Sequence, residues 1–104
     1  MFKGMSSSEF AKFVIDNMGR ATLSNAMNIA NNFNTDDGYD FKLFVTDMQV
    51  YLKTLISENK FSADKCYEIL GICYKGLRKY NTSASKQYVI DDFIIEIWKV
   101  CNGH

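Results

Sequence analysis

The sequence predicts an all-α domain, a compact bundle of about five helices, from three observations. The chain of 104 residues is 47% hydrophobic and 23% charged, a balance typical of globular proteins. Apolar residues recur at spacings of three and four, the period of an amphipathic helix. Proline is absent, so glycine, asparagine and serine are left to end the helices. The length suits one domain over residues 1–104 with a core of its own.

The first two helices are predicted over residues 9–18 and 22–33. Serines before Glu9 offer N-cap hydroxyls, and a carboxylate is favoured in a first helical turn. Gly19 is the expected stop signal after the first helix. The predicted core stripes are Phe10, Phe13, Val14 and Met18 in the first helix, and Leu23, Ala26, Met27, Ala30 and Phe33 in the second.

The third and fourth helices follow a polar loop at residues 34–40. In that loop Asp36 and Asp37 are expected to serve as turn and cap residues. The third helix is predicted over residues 41–58, and Ser62 is the predicted N-cap of the fourth. The predicted stripes are Phe41, Phe44, Val45, Met48, Leu52, Leu55 and Ile56 in the third helix, and Cys66, Ile69, Leu70, Cys73, Leu77 and Tyr80 in the fourth.

Two glycines, Gly71 and Gly76, lie inside the predicted fourth helix. A glycine in an exposed helix interior costs about 1 kcal/mol relative to alanine. Close contact with a neighbouring helix is the simplest reason to keep both.

The fifth helix is predicted over residues 85–101 and is apolar on most of its sides. Its main apolar residues are Val89, Ile90, Phe93, Ile94, Ile97, Trp98 and Cys101, and Tyr88 and Ile95 widen the surface. A helix that is apolar on most sides is buried on most sides. Either the other helices enclose it, which is the favoured explanation, or a partner protein covers part of it.

The sequence carries few residues suited to catalysis, cofactor binding or metal binding, and none of these functions is expected. There is no phosphate-binding glycine loop. The lone histidine, His104, is a poor partner for a cysteine nucleophile. Three widely spaced cysteines, Cys66, Cys73 and Cys101, favour buried reduced thiols over zinc ligation or a disulfide framework. Reduced thiols, with no predicted signal peptide or membrane span, indicate a cytoplasmic protein.

A protein-binding surface is predicted on the last two helices. Tyr67 and Tyr74 are seven residues apart on the fourth helix, which places them on one outer face. Tyrosine is enriched at protein contacts because it is large and amphipathic. Tyr88, Ile95 and Trp98 would extend the contact along the last helix. The alternative is that these side chains form the half-buried rim of the core.

A basic cluster is the alternative functional surface. It consists of Lys75, Arg78, Lys79 and Lys86, and it could contact phosphates. The same charges would also favour the C-terminal end of the helix dipole. The net charge of zero gives no overall attraction to nucleic acid, so nucleic acid is the least favoured partner.

Three segments resemble a known family. NTSASKQYVIDDFIIEIW, residues 81–98, resembles the closing helix of bacterial DNA polymerase III clamp-loader subunits, especially the delta-prime type. GRATLSNAMNIANNF (19–33) and DFKLFVTDMQVYLKTLI (40–56) are similar to two earlier helices of that family. In the last segment the matching turn carries Asn81, Ser83 and Ser85, and the matching helix positions are Val89, Ile90, Asp91, Phe93, Ile94, Ile95 and Ile97.

The resemblance implies a collar domain, the helical part through which clamp-loader subunits assemble during DNA replication. The ATPase and zinc-bearing parts of that family have no counterpart in these 104 residues, so assembly with other protein subunits is the only family activity implied. The alternative is a stand-alone small helical binding or regulatory protein of phage or plasmid type.

Overall fold

The computed structural model describes residues 4–33 and 39–103, which form five α-helices and no strand. This confirms the predicted all-α class. The helices are α1 (Ser7–Asn17), α2 (Leu23–Ala30), α3 (Phe41–Ser57), α4 (Ala63–Thr82) and α5 (Lys86–Cys101), with short 3-10 helices at Met18–Arg20 and Asn31–Phe33. The radius of gyration is 12.8 Å, close to the value of about 13 Å expected for a compact domain of this length.

The helices pack in the spatial order α1, α3, α4, α5 and α2, so that α1 lies against α3, α4 bridges α3 and α5, and α2 lies against α5. The core fills the space between them. Its largest fully buried side chains include Phe10, Phe44, Met48, Leu52, Ile69 and Ile94.

Side-chain caps fix where several helices begin. Ser6 Oγ accepts a hydrogen bond from the backbone N–H of Glu9 at 3.1 Å, and Glu9 Oε1 accepts one from the N–H of Ser6 at 3.0 Å. The bond from the backbone N–H of Ser6 lowers the pKa of Glu9. Asp40 Oδ1 accepts from the N–H of Lys42 at 3.0 Å at the start of α3. Ser62 occupies the predicted N-cap position of α4, but its side chain forms no capping hydrogen bond.

Two details near the N-terminal helices differ from what the sequence predicted. α1 ends before Gly19, as expected, but a 3-10 helix over Met18–Arg20 continues directly from it. Leu23 does not join the core: it is the first residue of α2 and is 45% exposed. Asp36 and Asp37 lie outside the described residues, so their capping and turn roles stay predictions.

The fifth helix is enclosed by the rest of the chain. It packs against α4, α2 and the 3-10 helix at Met18–Arg20, and within α5 only Lys86, Tyr88 and Lys99 are exposed. The indole Nε1 of Trp98 donates a hydrogen bond to the carbonyl of Ala21 at 2.8 Å. The structure therefore supports the explanation in which other helices cover its apolar sides.

Candidate interaction surface

The two glycines of α4 have different environments. A Cβ at Gly76 would lie 2.9 Å from Cδ1 of Phe93, so the missing side chain lets α5 approach α4. A Cβ at Gly71 would have no atom within 4 Å apart from its chain neighbours and the adjacent helix backbone, and the residue is exposed. The predicted close helix contact is correct for Gly76 and wrong for Gly71 within this chain.

Gly71 lies at the centre of a solvent-exposed stripe, here called the α4 face. Its members recur at helical spacing on the side of α4 opposite the buried residues Cys66, Ile69 and Cys73. The two tyrosines are 62% and 59% exposed. The α4 face comprises Asp64, Tyr67, Glu68, Gly71, Tyr74, Lys75 and Arg78, all of them exposed.

The tyrosines border an open groove between α3 and α4. Its volume is about 530 Å³, and Lys53, Ile56, Leu70 and Gly71 line it together with Tyr67 and Tyr74. Ile56 and Leu70 give it an apolar floor, while the phenol hydroxyls and the Lys53 ammonium supply polar groups at its edge. Such a surface suits an amphipathic partner.

The other residues predicted to bind a partner lie elsewhere or face inward. Tyr88 is 67% exposed near the start of α5. Ile95 and Trp98 are half-buried, and the Trp98 indole hydrogen bond to the chain itself holds that ring in place. Within the predicted set, Tyr67 and Tyr74 are the only two residues that are both exposed and on the same face of one helix.

The basic cluster is partly engaged within the chain. Lys79 Nζ lies 3.7 Å from Oδ2 of Asp92. Lys86 Nζ lies 4.6 Å from the centre of the Tyr80 ring and donates to the Tyr80 carbonyl. Lys75 and Arg78 remain as exposed cations of the α4 face.

A second cavity, of about 360 Å³, lies beside the junction of α1 and α2 and was not anticipated from the sequence. Asn17 Nδ2 donates to the Phe13 carbonyl at 2.8 Å, and Arg20 donates to Asn17 Oδ1 at 3.4 Å. The lining contains no carboxylate, thiol or imidazole among the described residues, so it offers no acid–base pair for catalysis. The lining residues are Phe13, Asn17, Arg20, Ala21, Asn25, Asn28 and Ile29.

The cysteine environments disfavour thiolate chemistry. Burial raises the pKa of Cys73 to about 12 and also raises the pKa values of Cys66 and Cys101. A thiol acts as a nucleophile or metal ligand in its thiolate form. Across residues 4–33 and 39–103, no three His, Cys, Asp or Glu side chains are grouped as a metal site would require. His104 lies outside this range.

Comparison with known proteins finds no matching family model, no matching curated protein and no matching solved structure. No helix in the described part of the chain combines the length and apolar character needed to cross a membrane.

Proposed function

We propose that this chain is a non-catalytic helical protein–protein association domain and that the α4 face is its contact surface. The observation that carries this proposal is the exposed Gly71 between two exposed tyrosines. Glycine weakens a helix by about 1 kcal/mol, and apart from its chain neighbours and the adjacent helix backbone no atom of the described fold lies within 4 Å of where its Cβ would be. A partner backbone that approaches α4 closely would make use of the missing side chain.

The flanking tyrosines supply what such a contact needs. Tyrosine buries a large apolar ring and keeps a hydroxyl for hydrogen bonding, and it has little rotamer freedom to lose. Tyr67 and Tyr74 stand on either side of Gly71 along the helix, so a partner helix seated over the glycine would contact both rings.

Site-specific photo-crosslinking tests the proposal. A benzophenone amino acid replaces Tyr67 or Tyr74 in the full chain, and the cells are irradiated. Matched controls carry the same group at Leu43 or Val50, apolar residues of α3 that are 50% and 62% exposed. We expect protein adducts from the two tyrosine positions at several times the control yield. Equal yields at all four positions would refute the assignment of the α4 face.

The resemblance to clamp-loader collars gives a narrower version of this proposal, in which the partners are DNA polymerase III clamp-loader subunits. Size-exclusion chromatography of the chain mixed with those purified subunits tests it. Co-elution that is lost in Tyr67→Ala would support the collar role. No co-elution, with adducts still forming at Tyr67 and Tyr74, would favour a stand-alone helical binding protein.

A further inference from the structure

We propose that the α4 face binds a second copy of this chain, with the two α4 helices crossing antiparallel at Gly71. This inference rests on the proposed function of that face and names its partner. It comes from the order of the charges along α4, together with the exposed glycine at their centre.

The charges of the α4 face change sign at Gly71. Asp64 and Glu68 precede the glycine, and Lys75 and Arg78 follow it. In an antiparallel pair centred on Gly71, a residue before the glycine faces the partner residue that lies about equally far after it and on the same edge of the stripe. At about 3.6 residues per turn, Asp64 then faces the partner's Arg78, and Glu68 faces the partner's Lys75.

The third pairing of this register places Tyr67 opposite the partner's Tyr74, where two aromatic rings can pack against each other. Each pairing occurs twice, because a two-fold axis makes the contact reciprocal. A parallel pair would instead set acid against acid and base against base. The antiparallel register is therefore the one that the charges favour, and it closes into a dimer.

Two further cations of α4, Lys65 and Lys79, would disturb this charge pattern, but both interact with groups on the α5 side of the helix. Lys79 pairs with Asp92 of α5. Lys65 is half-buried and close enough to the Cys101 thiol to lower its pKa against the larger, opposing effect of burial. By contrast, Asp64, Glu68, Lys75 and Arg78 form no ion pair with any other described residue.

The helix dipole accounts for part of the charge order, since it favours carboxylates near the start of α4 and cations near its end. It gives no reason for a glycine in mid-helix or for two exposed tyrosines beside it. A second α4 packed across the first accounts for all of these features together.

The expected dimer is weak. From Asp64 to Arg78 the stripe is about 21 Å long at 1.5 Å per residue. At about 10 Å wide it falls well short of the roughly 800 Å² per partner of a standard stable interface. We therefore expect a dissociation constant of about 0.1 mM, within the range of transient contacts.

Sedimentation equilibrium of the full chain, from about 10 μM to 1 mM at low salt, tests the inference. The wild type should dimerise. Asp64→Arg and Arg78→Asp should each weaken dimerisation about tenfold, because each sets like charges opposite each other at two symmetric contacts. The double variant D64R/R78D should return to within about threefold of the wild type, since its pairs are again opposite in sign.

Rescue by the double variant is specific to the antiparallel register, because a parallel pair would keep like charges opposed in every variant. Gly71→Gln is the steric counterpart: glutamine favours the helix, so the fold is kept, while its side chain blocks close approach. It should remain monomeric at 1 mM. The inference would be overturned if Gly71→Gln dimerised as strongly as the wild type. It would also be overturned if the single variants Asp64→Arg and Arg78→Asp dimerised as strongly as the double variant.

Failure of this inference is distinguishable from failure of the proposed function. Suppose the wild type stays monomeric at 1 mM but forms crosslinked adducts with a different protein at Tyr67 and Tyr74. This result would refute self-association and still support the α4 face as an association surface. A monomeric wild type without such adducts would remove both.

Discussion

Alanine substitution at the two glycines of α4 should change stability in opposite directions. At Gly71 the new methyl group would have no atom within 4 Å beyond its chain neighbours and the adjacent helix backbone, so the helix propensity of alanine acts without a steric penalty. The expected gain is about 1 kcal/mol. For a domain of about 100 residues this raises the Tm by roughly 4–8 °C.

At Gly76 the same gain in propensity is opposed by a steric clash. The methyl carbon would lie 2.9 Å from Phe93 Cδ1 and 3.5 Å from Cε1. The Phe93 ring cannot easily move away, because it is 2% exposed and packs edge-on against Phe41 and Phe44 at centroid distances of 5.1 and 6.4 Å. Overpacking of this kind costs about 1–3 kcal/mol. The net expectation for Gly76→Ala is a loss of about 1 kcal/mol.

Thermal unfolding followed by circular dichroism at about 5 μM, where a weak dimer would be dissociated, measures both effects. The two variants should differ by about 2 kcal/mol, or roughly 10 °C in Tm. A double-mutant cycle supplies the control: in a Phe93→Leu background, Gly76→Ala should lose most of its penalty. A Gly76→Ala variant as stable as Gly71→Ala would refute the steric reasoning.

Three further predictions concern the core and its edge. Trp98→Phe removes an indole hydrogen bond of 2.8 Å and should lower the free energy of unfolding in urea by about 1–2 kcal/mol. Burial and the 2.5 Å hydrogen bond to Asp16 raise the pKa of Tyr51 from 10.0 to about 12. Because the pKa of Tyr51 is higher in the folded than in the unfolded state, its contribution to stability is complete below pH 10 and is lost as pH rises through 12. Between these two pH values, Tyr51→Phe should therefore lose less stability than the wild type, as measured by the urea midpoints of unfolding. Native Cys73, whose pKa burial raises to about 12, should react with iodoacetamide more slowly than half-buried Cys101 in peptide mapping by mass spectrometry.

The helices were predictable because their apolar spacing survives almost unchanged in the fold. Phe10, Phe44, Leu52, Ile69 and Ile94 were all assigned to the core from spacing alone, and all are buried. The spacing of apolar residues does not predict the backbone geometry or the side-chain exposure at the ends of helices. For that reason the 3-10 helix at Met18–Arg20 and the exposure of Leu23 were missed.

The distinction between the two glycines was available in the sequence and was missed. Gly76 lies three residues after Cys73, on the buried side of α4, whereas Gly71 lies between Tyr67 and Tyr74 on the outer side. Glycines five residues apart point to nearly opposite sides of a helix. One reason could therefore not serve for both.

The partners of the basic cluster were not predictable, because they depend on tertiary placement. The position of α5 against α4 brings Asp92 to Lys79. The turn between the helices brings Lys86 over the Tyr80 ring. Neither contact can be predicted from the positions of lysine and arginine in the sequence.

The hydrogen bonds between the end of α5 and the junction of α1 and α2 have a consequence for biosynthesis. Asn102 Nδ2 donates to the Met18 carbonyl at 3.1 Å, and Trp98 donates to the Ala21 carbonyl. These bonds join residues separated by 84 and 77 positions. On the ribosome, α1 and α2 emerge long before the side chains that hydrogen-bond to their junction. The nascent chain can form helices early, but the junction of α1 and α2 gains these two hydrogen bonds only after residues 98–102 have left the exit tunnel.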